Sequence, residues 1–308
     1  MKIYEGLEHF KPVNNAVVTS GTFDGVHLGH QKILARIRDI ANKIKGETVL
    51  ITFWPHPRLI LYPEEHNLRL LTTFEEKAKM LESFGVDHLV TIPFTKEFSQ
   101  LTGEEFVQQI LVEKIQTRKL VIGYDHRFGK NREGSFDHLQ ANKEKYGFDI
   151  EEIPRADVDH VGISSTKIRM ALESGEIQVA NEFLGREYEI NGIVIKGQQI
   201  GRSIDFPTAN IHVPSNYKLI PSDGAYAVHI KVKDEIYQGM LNIGNRPTVD
   251  GLEKTIEVHL FDYEGNLYDQ QITVYFKEFL RPERKFANLD ELKAQLEKDK
   301  QKAKQIFN

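Results

Sequence analysis

The chain has 308 residues, 40% hydrophobic and 28% charged, which is ordinary for a soluble globular protein and long enough for two separate cores. A formal net charge of -5 with no long basic block argues against a sequence-independent nucleic-acid binder, and zero cysteines exclude disulfides, thiolate metal sites and a thiol nucleophile. The charged N-terminus MKIYEGLEHFK lacks an apolar signal core and no stretch is apolar enough to span a bilayer, so a cytoplasmic protein without membrane or nucleic-acid partners is expected.

In chain order, Asn15–Thr19 reads as a strand through Ala16, Val17 and Val18. A Gly-containing turn follows, and then Ile33, Leu34, Ile37, Ile40, Ala41 and Ile44 recur at helical spacing. Thr48–Phe53 is a second apolar strand. Helix-patterned Phe74–Phe84 leads into a strand at His88–Ile92. Glu104–Ile115 is again helical, and Lys119–Ile122 is a fourth strand. Strands alternating with helices predict an α/β domain, a parallel sheet covered on both faces. Two short helices, Ser164–Glu173 and Glu176–Leu184, are punctuated by Gly175 and Gly185. The domain boundary is expected there, giving segments 1–185 and 186–308.

Beyond Gly185 the rhythm changes. Tyr188–Lys196, Ala225–Val232, Glu235–Asn242, Thr255–Phe261 and Gln271–Phe276 are strand candidates separated by Gly, Pro, Asn and Asp turns. Strands at such short spacing predict an antiparallel barrel or sandwich. A last helix starts near Asn288, with Glu291 three positions on as its capping partner.

The stretch Ser20–His30, SGTFDGVHLGH, lies between the first strand and the first helix. Open α/β sheets bind ligands at this edge. Gly21 and Gly25 let the backbone approach a ligand, and the helix N-terminus offers free N–H groups to a phosphate. His27 and His30 are three apart and share a face if helical. Taken alone, two such histidines are ordinary capping or surface residues, and no third His or Cys ligand stands nearby to make a metal site. A second element, Gly162–Arg169 (GISSTKIR), opens a helix with hydroxyls and cations: Ser164, Ser165, Thr166, Lys167 and Arg169. By itself it is a good N-cap followed by a charged face.

Together these two stretches resemble the bacterial FAD synthetases, a branch of the HxGH nucleotidyltransferases. The resemblance implies a Rossmann-like domain in which His27 and His30 stabilise charge during attack at the α-phosphate of ATP. Gly21, Thr22, Phe23, Asp24, Gly25 and the Ser164–Arg169 group would then hold the nucleotide. Phe53–Arg58 (FWPHPR) and Gly123–Gly134 (GYDHRFGKNREG) resemble the family segments that line the flavin and nucleotide sites, which implicates Trp54, His56, Pro57, Asp125 and Arg127. Trp54 and His126 depart from the usual residues there.

The C-terminal half has no P-loop. Its distinctive run is Gly201–Asn210, GRSIDFPTAN. Thr208 and Asn210 alternate in extended backbone and so point the same way, as oxygen donors suited to Mg²⁺ or Mn²⁺. Alone, PTAN reads as a turn leading into a strand. FPTAN resembles the signature of riboflavin kinases, and DGAYAV, LNIGNRPTV, TIEVHLF and FLRPERKF resemble further segments of that family in order. The resemblance implies a riboflavin-kinase-type barrel with a terminal helix. Lys196, Gly201, Arg202, Thr208 and Asn210 would bind ATP and its metal, Glu257 would be the catalytic carboxylate, and Arg281, Glu283 and Arg284 would touch flavin. Asp205 stands where Gly is usual. His259 would share the face of Glu257 in a strand, as a packing neighbour.

The expected function is a bifunctional one. Riboflavin and ATP give FMN, and FMN and a second ATP give FAD and pyrophosphate, from a monomer or weak homo-oligomer. Two rival readings are adenylyl transfer to another phosphorylated metabolite and a flavin-binding regulatory protein with one inactive site.

Overall fold

The computed structural model describes residues 1–62, 68–154, 162–197, 201, 204–248 and 251–308, and the side chains at 246–248 and 251–253 are set aside. The chain divides into two compact units, Met1–Ser165 and Thr166–Asn308. Gly185, where the boundary was expected, falls inside the second.

The first unit is built on a six-stranded sheet. Its strands are β1 (Lys2–Glu5), β2 (Val17–Ser20), β3 (Thr48–Trp54), β4 (His88–Pro93), β5 (Lys119–Gly123) and β6 (Asp149–Ile153), in the order β1-β4-β3-β2-β5-β6. Every pairing is parallel. β2 and β3 are apolar runs buried on both faces, as a covered parallel sheet requires. The pleat sends Val18, Ile51 and Ile122 into one core and Val17, Leu50 and Val121 into the other.

Two strands, β1 and β6, were not foreseen. The helix expected over Glu104–Ile115 is an α-turn at Gly103–Glu105 running into a π-helical stretch at Phe106–Lys114. The chain lays down β2, β3 and β4 in one direction across the sheet and then returns to place β5 on the other side of β2. The strand order therefore reverses between β2 and β5. That reversal opens a crevice at their carboxyl ends.

The second unit starts at Thr166, inside the helix Ser165–Glu173, and continues through the helix Ile177–Leu184 into a closed barrel. Its strands are β7 (Tyr188–Ile195), β8 (Ala209–His212), β9 (Gly224–Val232), β10 (Glu235–Thr248), β11 (Gly251–Leu260) and β12 (Gln271–Pro282), ordered β10-β11-β8-β7-β12-β9. All pairs are antiparallel. The helix Leu289–Phe307 closes the unit. Asn288 is its N-cap and accepts from Glu291 N at 2.9 Å, as expected from the sequence. Its Leu292 and Leu296 pack on the core residues Phe206, Ala225, Ala227, Met240 and Phe261.

Candidate active sites

β2 ends at Ser20 and β5 at Gly123, so the two loops that follow flank the reversal point of the sheet. They meet there: Ser20 Oγ and His126 Nε2 are 3.2 Å apart. Burial, with Arg132 and Arg127 nearby, pushes His126 down to about 4, so the ring is neutral at pH 7.

The loop after β2 is strained. Phe23 (φ 48), Gly25 (φ 80) and the β-branched Val26 (φ 38) all have left-handed backbone. Gly25 is glycine for two reasons, its φ and the Leu71 side chain that a Cβ would strike. The strain is held in place by hydrogen bonds. The Asp24 carboxylate is buried and accepts from Leu71 N at 2.9 Å and Thr72 N at 3.2 Å, while Gly25 N donates to Thr72 Oγ1 at 3.2 Å. Ser165 Oγ donates to the Asp24 carbonyl at 3.0 Å, which ties the ISST segment to this loop.

His27 is the N-cap of the helix Leu28–Ile44, and His30 lies in its first turn. Their rings stack at 3.7 Å between centroids and 19° between planes. Phe23, folded inward, sets its ring 4.7 Å from His30. The structure thus brings together Gly21–Gly25, His27, His30 and Ser165 at one helix N-terminus. Such a place accepts phosphate, and imidazoles held there can meet charge that develops on it. Asp24 is placed as a brace for the loop.

Trp54 is half-buried at the end of β3, with its ring 6.3 Å from Phe74. His56 is buried and caps the helix Pro57–Leu61 by accepting from Arg58 N. Asp125 and Arg127 are exposed on the loop after β5, where Arg127 donates to the His126 carbonyl. Thr166 and Lys167 are exposed and Arg169 is partly exposed in the helix Ser165–Glu173, within the second unit.

The barrel holds a cavity of about 520 Å³. Gly201, Thr208, Asn210, Glu257, Arg281, Glu283 and Arg284, all expected site residues, line it. Asn210 of β8 pairs in register with Glu257 of β11, and Thr208 Oγ1 donates to Glu257 Oε2 at 3.2 Å. The three oxygen-bearing side chains therefore converge, as the alternate spacing of Thr208 and Asn210 predicted. A Cβ at Gly201 would collide with the Phe206 carbonyl, so only glycine lets the loop turn this tightly. His259 does line the same cavity, and its Nδ1 is 2.8 Å from the Pro207 carbonyl. Burial lowers its pKa from the usual histidine value. Partial burial raises Glu283, against the hydrogen bond from Asn242 and the charge of Arg281. Lys196 is exposed past the end of β7 and is not among the lining residues. Arg202 lies outside the described residues, as does Val249 of the LNIGNRPTV segment.

Arg281 is paired within the cavity lining. Its Nε lies 3.0 Å and its Nη2 2.8 Å from Asp299 Oδ2, a buried carboxylate on the terminal helix. Asp299, Asn242 and, in the first unit, Lys77 and Thr52 were not singled out from the sequence. Lys77 and Asp299 each left one readable sign, a charge on an otherwise apolar helical stripe. Among the described residues no cluster of three or more His, Cys, Asp or Glu is arranged to hold a metal ion. The oxygen set of Thr208, Asn210 and Glu257 still fits Mg²⁺, which takes few protein ligands and keeps waters and substrate phosphates.

Comparison with known proteins agrees with both halves. A family model described as FAD synthetase matches residues 10–167, and one described as riboflavin kinase matches residues 184–307. The bifunctional riboflavin kinase/FMN adenylyltransferase of Haemophilus influenzae is 38% identical over 310 residues, covering all of both chains. Its counterpart in Escherichia coli K12 is 37% identical, covering 100% of this chain and 98% of its own. A crystal structure described as a macrolide-efflux protein from Streptococcus pneumoniae superposes with a TM-score of 0.90 at 28% identity, covering 98% of each chain. Efflux is said of that protein alone, and among the described residues here no helix is long and apolar enough to cross a membrane. On these matches and the two sites that the fold assembles, the chain belongs to the bifunctional riboflavin kinase/FMN adenylyltransferase family.

Proposed function

We propose that the chain makes FAD from riboflavin in two ATP-dependent steps. Segment 186–308 phosphorylates riboflavin and segment 1–185 adenylylates the FMN so formed. The observation that carries the reading is the presence, in one chain, of a stacked histidine pair at an α/β reversal point and a carboxylate–hydroxyl–amide cluster in a barrel cavity.

In the kinase step the terminal ribityl hydroxyl attacks the γ-phosphorus of ATP, and ADP leaves. Glu257 positions that hydroxyl and takes its proton. Thr208 and Asn210 face the phosphates, and Mg²⁺ held there would neutralise their charge. The cavity walls, with Arg284 over the Phe286 ring at 4.6 Å, receive the flavin. Arg281 supports this wall through Asp299. In the second step a phosphate oxygen of FMN attacks the α-phosphorus of a second ATP, and pyrophosphate leaves. His27 and His30 donate to the phosphate oxygens as charge builds, and the helix N-terminus adds its N–H groups. Trp54 offers a stacking face for an aromatic ring. We place both reactions in the cytoplasm, in a monomer or weak homo-oligomer.

A time course of the purified chain with riboflavin, ATP and Mg²⁺ tests the reading. FMN should appear first and FAD after it. Riboflavin left unchanged while added FMN becomes FAD would remove the kinase half, and no FAD from FMN and ATP would remove the other.

A further inference from the structure

Lys77 is a buried cation that neither reaction above uses. It lies in the helix Phe74–Ser83, on the stripe formed by Phe74, Ala78 and Leu81, and is 6% exposed. Its Nζ donates to the Thr22 carbonyl and to Thr52 Oγ1, each at 3.1 Å. Thr52 Oγ1 itself donates to the same Thr22 carbonyl at 3.4 Å. A buried ammonium with no role would be costly, and these contacts aim it at a single peptide group.

That peptide joins Thr22 to Phe23. Anchoring its carbonyl fixes the plane from which Phe23 enters its left-handed conformation, φ 48. Phe23 is thereby turned into the core, where its ring backs His30, and His30 stacks on His27. A second tie runs the other way, since Asp24 accepts from the backbone of Leu71 and Thr72 just ahead of the helix. The two segments clasp each other through one carboxylate and one ammonium.

We propose that Lys77 is a positioning residue for adenylyl transfer, holding the Thr22–Phe23 peptide so that Phe23 sets the His30–His27 pair. The proposal rests on assigning adenylyl transfer to this unit. Among the described residues, one charged group acts on Lys77 through space. Asp24 faces it from the loop after β2, β3 presents the uncharged Thr52, and on its own helix Glu76 is turned to Thr73 N in the capping box. Burial pushes Lys77 down to about 8, and Asp24 opposes the shift. Adenylyl transfer should therefore decline above about pH 8 as the ammonium is lost. The decline is not unfolding. A lowered lysine pKa means that, between about 8 and the ordinary 10.5, the unfolded chain binds the extra proton, so through this group stability rises with pH.

The test compares Lys77→Met, Thr52→Val and the double variant with the unaltered chain. FMN-to-FAD turnover is followed from pH 6.5 to 9.5, with circular dichroism and thermal unfolding of each preparation as the control for folding of the first unit and riboflavin phosphorylation as the control for the second. Lys77→Met should lower kcat for FAD formation by about 10²-fold, the scale of a misplacement near 1 Å, with phosphorylation unchanged and no step near pH 8. The double variant should be no slower than Lys77→Met. Thr52→Val removes an acceptor from the ammonium, so its alkaline step should move to lower pH; if Lys77→Met does not fold, this variant carries the test alone. Unchanged kcat in Lys77→Met, a step near pH 8 that persists in it, or an unmoved step in Thr52→Val would overturn the proposal. An unaltered chain that makes no FAD from FMN would instead overturn the reading beneath it.

Discussion

His30 belongs to Met1–Ser165 and Glu257 to Thr166–Asn308, so one substitution at each divides the chemistry. His30→Ala removes one donor from the proposed phosphate site, and FAD formation should fall about 10²–10³-fold while FMN accumulates. Glu257→Ala removes the proposed proton acceptor and should slow riboflavin phosphorylation about 10²–10⁴-fold while added FMN still becomes FAD. Chromatographic separation of the three flavins reads both outcomes, and a folded variant that lost both activities would break the division of labour. Asp205 belongs to the same scale. It adopts φ 66, a conformation that glycine takes without strain, which explains why Gly is usual there. Its carboxylate meets Lys293 at 2.7 Å, and that contact holds it below the usual carboxylate range. The Asp205 charge is thus paired with a lysine of the terminal helix.

The elements were unequally legible. The deeply buried strands β2, β3, β4, β9 and β12 announce themselves as apolar or alternating runs. β1 (KIYE) and β6 (DIEEI) sit at the two edges of the sheet, where one side is open and charge is tolerated, so they look like loops. β8 has four residues and owes its existence to pairing with β7 and β11, contacts that no local window contains. The π-helical stretch at Phe106–Lys114 has the same apolar content as an α-helix. Lys77 and Asp299 were overlooked because a charge inside an apolar stripe reads as noise until its partner is seen. Asp299 shares the stripe of Leu292, Leu296 and Ala303 and receives Arg281 and Gln295. Asp299→Ala leaves a largely buried guanidinium without its partner, so the barrel should lose about 3–5 kcal/mol. Denaturant unfolding followed by riboflavin kinase activity measures this, and a loss under 1 kcal/mol would make the pair a surface contact in energetic terms.

At the scale of the whole molecule, the two reactions share FMN as product and substrate. The kinase cavity is lined, among the described residues, by positions from Gly201 to Asp299, all within one unit. The histidine pair and its loop lie in the other. A chain altered at His30 therefore keeps a whole kinase site, and one altered at Glu257 keeps the whole histidine pair. Neither variant alone should turn riboflavin into FAD at an appreciable rate. Mixed in equal amounts, they should restore FAD formation, because FMN released by the first can be captured from solution by the second. The rate of the mixture should rise with total protein concentration and show a lag set by the build-up of free FMN. The unaltered chain run beside it gives the comparison that matters. If the lag and the final rate coincide, FMN passes through bulk solvent in the native enzyme too. If the unaltered chain shows no such lag and outpaces the mixture, FMN reaches the second site without equilibrating with bulk solvent, and the two units act as one catalyst.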